Sequence, residues 1–137
     1  YRDVPMRLFE LGEAATFEDL GIYITRDEPD FVLTPVAKKK YGENHAKLAA
    51  QMDLVLIDRA LSSHKVELSQ FGGCFCRLPA PQREQLAAKL RFRIPIVQQY
   101  YIQGEHLETI DEYMEILSPT THKRRRKNVI DVVQWNP

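Results

Sequence analysis

The strongest constraint in this sequence lies toward its C-terminal end. There Leu107, Ile110, Met114 and Leu117 recur at i, i+3, i+7 and i+10. That spacing predicts an amphipathic helix over 107–117 whose apolar stripe has to be covered. Ser118-Pro119-Thr120-Thr121 reads as a turn ending in a capping residue, and a last helix is expected from His122 to Trp135. With successive residues placed roughly 100° apart, Val129, Ile130, Val132 and Val133 fall within one half of that helix. Lys123, Arg124, Lys127, Asn128, Asp131 and Gln134 fall on the other half. Two helices joined by a short turn, the second apolar toward the body and polar away from it, form a helix-turn-helix layout.

Charge sharpens this picture. The chain has 19 basic and 19 acidic residues, yet residues 118–137 hold five of the former (Lys123, Arg124, Arg125, Arg126, Lys127) and only Asp131 of the latter. The C-terminal end is therefore the part suited to a polyanion, and the first 117 residues carry an acidic excess. Lysine and arginine can contact phosphates or guanine edges, and asparagine and glutamine can read adenine. Thr120 and Thr121 are placed to offer hydroxyls and backbone N–H groups to a phosphate at the helix start. A basic run at a chain end is also commonly a solvated face or a site for an acidic partner.

The rest of the chain predicts a mainly helical protein with one small β-hairpin. Asp3-Val4-Pro5 opens a helix that carries Leu8, Leu11 and Leu20 and is expected to stop at Gly21. Ile22–Arg26 and Phe31–Thr34, separated by Asp27-Glu28-Pro29-Asp30, read as two short strands around a turn. Thr34-Pro35 caps and starts a helix reaching Leu61, interrupted at Gly42 and restarted by Asn44. Its two apolar stripes (Leu48, Met52, Val55 and Leu54, Ile57, Leu61) suggest a helix buried between neighbours. Residues 62–81, with Gly72-Gly73, Pro79 and Pro81, are expected to be an irregular linker. Pro81 then starts a helix through Leu90, interrupted near Pro95 and followed by a short helix over Val97–Ile102. The expected units are thus residues 1–61 and 82–137.

Other chemistry finds little support. Cys74-Phe75-Cys76 has the wrong spacing for a zinc knuckle, and two packed thiols are the better reading even with His45 or His64 near by. Gly72-Gly73 lacks the following Gly-Lys-Ser/Thr of a phosphate loop. Lys65-Val66-Glu67 reverses the acid-x-lysine order of metal-dependent nucleases, and Pro29-Asp30 is explained by a turn. Tyr100-Tyr101 could stack on bases but suits packing better. No catalytic group, cofactor or metal is expected. No run approaches the ~20 apolar residues that cross a bilayer, the N-terminus has no apolar signal core, and a reducing cytoplasm is the expected compartment.

Two segments resemble a known architecture. Thr16-Phe17-Glu18-Asp19-Leu20-Gly21-Ile22-Tyr23, followed by Phe31-Val32-Leu33-Thr34-Pro35, resembles the recognition helix and wing of winged-helix domains. Leu117 through Trp135, with a Ser/Thr turn before paired arginines and a closing Trp, is similar to a second such segment. This tandem layout resembles accessory DNA-binding regions of bacterial restriction and defence proteins, and the small C-terminal domain of some ATPases. The resemblance implies a winged-helix-like architecture of two half-units joined by a helical linker, in a fragment of a larger protein. It also implies double-stranded DNA as partner. Lys123, Arg124 and Lys127 would lie on phosphate, Arg125 and Arg126 would flank the core side, and Asn128 and Gln134 would touch bases. The alternative is a protein-interaction module that packs on a second copy or on domains of its parent protein.

Overall fold

The computed structural model describes residues 1, 3–27, 34–60, 64–114 and 119–135, the side chains of 113–114 and 119–125 excepted. The described chain is mainly helical with one three-stranded antiparallel sheet, and it divides into two compact units, Tyr1–Pro79 and Ala80–Pro137.

In the first unit α1 (Asp3–Leu11) is followed by β1 (Ala15–Thr16), α2 (Phe17–Ile24) and α3 (Pro35–Gln51). A hairpin, β2 (Val55–Asp58) and β3 (Lys65–Leu68), comes next, and α4 (Gln70–Cys76) closes the unit. The helix expected to run to Gly21 is instead two. Gly12 takes a φ of +69° and its N–H closes α1 onto the Leu8 carbonyl, a helix end that favours glycine. Thr16 then caps α2 by accepting a hydrogen bond from the Asp19 N–H at 3.2 Å.

The strand expected at Ile22–Arg26 is not formed, because α2 continues through Ile24 and Thr25 ends it, its hydroxyl donating to the Gly21 carbonyl. Residues 31–33, the core of the second expected strand, lie outside the described residues. Thr34-Pro35 starts α3 as expected, with the Thr34 hydroxyl accepting from the Ala37 N–H.

Neither Gly21 nor Gly42 interrupts a helix; together they set how α2 and α3 cross. A Cβ on Gly21 would lie 1.9 Å from the Lys38 carbonyl oxygen, and one on Gly42 would lie 1.9 Å from that of Phe17. The two backbones touch where neither residue has a side chain. Ala46 and Ala49 extend the same buried side of α3. Residues that read as turn punctuation in the sequence are thus packing residues, and tertiary contact outweighs their poor helix propensity.

The helix expected to run from Pro35 to Leu61 instead ends at Gln51 with Met52 as its cap, and Leu61 lies outside the described residues. Asp53 takes a left-handed φ of 62°, and β2 begins at Val55. The linker expected over 62–81 carries β3 and α4. Burial alternates along the hairpin: Val55 and Val66 are buried, whereas Leu56, Lys65 and Glu67 are exposed. β3 lies between β1 and β2, with Val66 opposite both Ala15 and Ile57, and Lys65 opposite Asp58. Ser69 caps α4 and donates to the Asp53 carbonyl, tying the hairpin's far end to its entry.

The described elements of the second unit are all helical: α5 (Ala80–Leu90), a 3-10 turn (Arg91–Arg93), α6 (Pro95–Ile102), α7 (Leu107–Met114) and α8 (Pro119–Gln134). The expected interruption before Pro95 is that 3-10 turn. α6, α7 and α8 pack together around Ile96, Val97, Tyr100, Ile110, Val129, Val132 and Val133, all buried. No helix among the described residues is long and apolar enough to cross a membrane.

Candidate nucleic-acid interface

The apolar half predicted for α8 is the half that packs: Val129, Val132 and Val133 are buried and Ile130 is half-buried. On the other side Lys127, Asp131 and Gln134 are exposed, and Asn128 is half-buried. The helix begins at Pro119, so Thr120 and Thr121 belong to its first turn instead of preceding it. The side chains of Thr120, Thr121, Lys123, Arg124 and Arg125 fall outside the described residues. Arg126 is engaged: it donates to Asp111 on α7, Nε to Oδ1 at 2.5 Å and Nη2 to Oδ2 at 3.4 Å. That hydrogen-bonded pair raises the Arg126 pKa above its ordinary value and joins α7 to α8.

Sequence reasoning missed the residue that anchors the other end of α8. Arg91 is buried, and its Nη1 donates to the carbonyls of Val132 (2.9 Å) and Val133 (3.1 Å). The Tyr101 hydroxyl also donates to the Val133 carbonyl, at 2.8 Å. These carbonyls are in the last turn of α8, where no intrahelical N–H remains to satisfy them and a cation is favoured. A signal was present: Ala87, Leu90, Arg91 and Ile94 fall at i, i+3, i+4 and i+7, which places the arginine on an apolar face. Tyr100 is buried, so the packing reading of that residue holds.

A second basic surface lies on α3. The helix carries Lys38, Lys39, Lys40 and Lys47 against a single acid, Glu43. With Gly42, Ala46 and Ala49 turned inward, Val36, Lys40, Asn44, Lys47 and Gln51 form the opposite stripe. Val36 is 79 % exposed, and Lys39, Lys40 and Gln51 are exposed as well. Glu43 pairs with Lys47 at 2.9 Å and with Lys40 at 3.4 Å. Burial acts to raise the Glu43 pKa, but the two ammonium groups outweigh it and hold the carboxyl below its usual range.

By contrast, residues 3–24 carry five acids and one base, Arg7, which is itself held by Asp19 at 3.1 and 3.3 Å. Charge in the first unit is therefore segregated by element. The average over the first 117 residues concealed this, and the signal was the Lys38–Lys40 run followed by Lys47 at helical spacing.

His45, on α3, is pushed well below the usual histidine range by burial. Cys76 is buried but Cys74 is exposed, so only one of the two thiols is packed. Among the described residues no group of three or more His, Cys, Asp or Glu could hold a metal ion. A groove beside α1, lined by Leu8, Phe9, Gly12, Glu13, Ala14, Glu67 and Leu68, brings two carboxylates and no cation. Compared with protein-family models, with curated proteins and with solved structures, the chain matches none.

Proposed function

We propose that this chain is a double-stranded DNA-binding module of winged helix-turn-helix type, acting by binding and not by catalysis. In this reading it serves a larger restriction, defence or regulatory protein in a reducing cytoplasm, and needs no cofactor. The observation that carries the reading is the outward stripe of α3, in which Lys40, Asn44, Lys47 and Gln51 follow one another at helical spacing. Two cations and two amides on one helix face are the side chains that contact phosphate and read base edges in a major groove.

The element order supports it. Helix, strand, helix, helix and hairpin, with the hairpin's second strand central in the sheet, is the arrangement in which a reading helix is followed by a wing. The resemblance in the sequence put the recognition helix before Gly21 and the wing at 22–34. The strand positions favour α3 and the β2–β3 hairpin for those roles. The hairpin adds Arg59 and Lys65, both exposed. In the second unit α8, with Lys127 and Gln134 exposed and five basic residues over 123–127, is proposed as a further phosphate contact.

The test is fluorescence anisotropy of a labelled random-sequence duplex across a salt series. If three or four phosphates are neutralised, log affinity falls with log salt at a slope of about −3. Lys40→Glu/Lys47→Glu and Lys123→Glu/Lys127→Glu each weaken binding at least tenfold, an estimate of about 1.4 kcal/mol or more. A folded parent chain that fails to bind at low salt overturns the reading. It would favour the alternative of a protein partner or second copy, for which Ile102 (84 % exposed) and Leu56 (55 % exposed) are among the exposed apolar residues.

A further inference from the structure

The acidic residue in the middle of α3 needs an account. Glu43 stands between Lys40, three residues before it, and Lys47, four residues after it, and gives one carboxylate oxygen to each. Its side chain is only 20 % exposed, whereas those of Lys40 and Lys47 are 51 % and 34 % exposed. A carboxylate on a face that meets a polyanion is a liability on any duplex. A lysine that turns from Glu43 to a phosphate leaves that carboxylate both unpaired and facing negative charge. The penalty is offset only where the nucleic acid itself supplies a donor. In a major groove the donors are the exocyclic amines of the bases, the N4 amine of cytosine and the N6 amine of adenine.

We infer that Glu43 is the specificity-determining residue of α3: it suppresses general phosphate binding by Lys40 and Lys47 and accepts a hydrogen bond from the exocyclic amine of one base. This inference rests on the duplex-binding reading above. Discrimination here is a difference of two affinities, produced by weakening the wrong complexes as much as by strengthening the right one. The device is compact because one carboxylate restrains both lysines of the stripe.

The experiment compares the parent chain with Glu43→Gln, which keeps the shape and removes the charge, and with Glu43→Ala, which leaves nothing to accept the amine. Circular dichroism and urea unfolding check that both variants remain folded. On a random-sequence duplex both variants bind about tenfold more tightly than the parent, and the salt slope steepens by about 1 to 2 as the lysines are released to phosphate. In selection from a duplex pool with a randomised window, the parent enriches one amine-bearing base, and its identity separates cytosine from adenine. Glu43→Ala loses that enrichment, whereas Glu43→Gln keeps a side-chain oxygen that can accept from the same kind of amine and still enriches an amine-bearing base. A parent that binds duplex, with both variants unchanged in slope or with Glu43→Ala unchanged in selected base, overturns the inference while leaving the duplex reading standing. Parent and variants that all fail to bind at low salt overturn both.

Discussion

Gly42 shows how much a missing side chain can do. Its absent Cβ lets the α3 backbone rest on the Phe17 carbonyl, and the reciprocal gap at Gly21 accepts the Lys38 carbonyl. Gly42→Ala should therefore destabilise the first unit by about 1–3 kcal/mol or more, because neither backbone can retreat without moving a helix. Gly73→Ala is the control: its Cβ would meet nothing within 4 Å, and within α4 the change should stabilise by up to about 1 kcal/mol. Urea unfolding of the two variants reads both effects.

His45 couples the stability of the first unit to pH. Burial lowers its folded pKa below the unfolded value of about 6.5, so the unfolded chain binds more protons. The stability that His45 contributes is complete above about pH 6.5 and is lost as the pH falls from there toward the folded pKa. His45→Gln should flatten the stability profile in that window. Glu43, whose folded pKa is also lowered, loses its contribution only in more acid solution, below the usual carboxylate range.

Among the elements, α8 depends on a residue far from it in sequence. Arg91 satisfies carbonyls in its last turn, and Asp111 holds Arg126 nearer its start. Arg91→Met removes two charge-assisted hydrogen bonds and leaves the Val132 carbonyl without its donor, so a loss of about 2–3 kcal/mol is expected in thermal unfolding. If stability is unchanged, the anchoring role is wrong. The elements also show what the sequence could and could not disclose. Periodicity located α7 and α8, and Thr34-Pro35 located the start of α3, because caps and stripes are local signals. The hairpin was misplaced because Ile22-Tyr23-Ile24 has strand-like residues but is held helical by the Thr16 cap and the crossing with α3. Val55–Asp58 continued an apparent helical stripe, and nothing local marks Asp53 as the left-handed residue that turns the chain into β2.

Charge is distributed unevenly along the chain. A net charge of zero averages over an acidic α1–α2 segment, a basic α3, an acidic stretch at 105–115 and a basic run at 123–127, and a single average over the first 117 residues hid the basic α3. The outer face of α8 was legible because it stands beside a clean apolar stripe. The α3 face was not, since its inward side is built of Gly42, Ala46 and Ala49, too small to register as a hydrophobic stripe. Each unit carries its own proposed duplex-contacting face: base-reading groups on α3 in the first and cations on α8 in the second.

The most direct test is a two-dimensional amide NMR titration of the isotopically labelled chain with a short duplex. Duplex binding through α3, the hairpin and α8 predicts shift changes concentrated over Val36–Gln51, around Arg59 and Lys65, and along α8, with α1 and Ile102 unaffected. No shift changes at low salt, or changes confined to α1, Leu56 and Ile102, would contradict it.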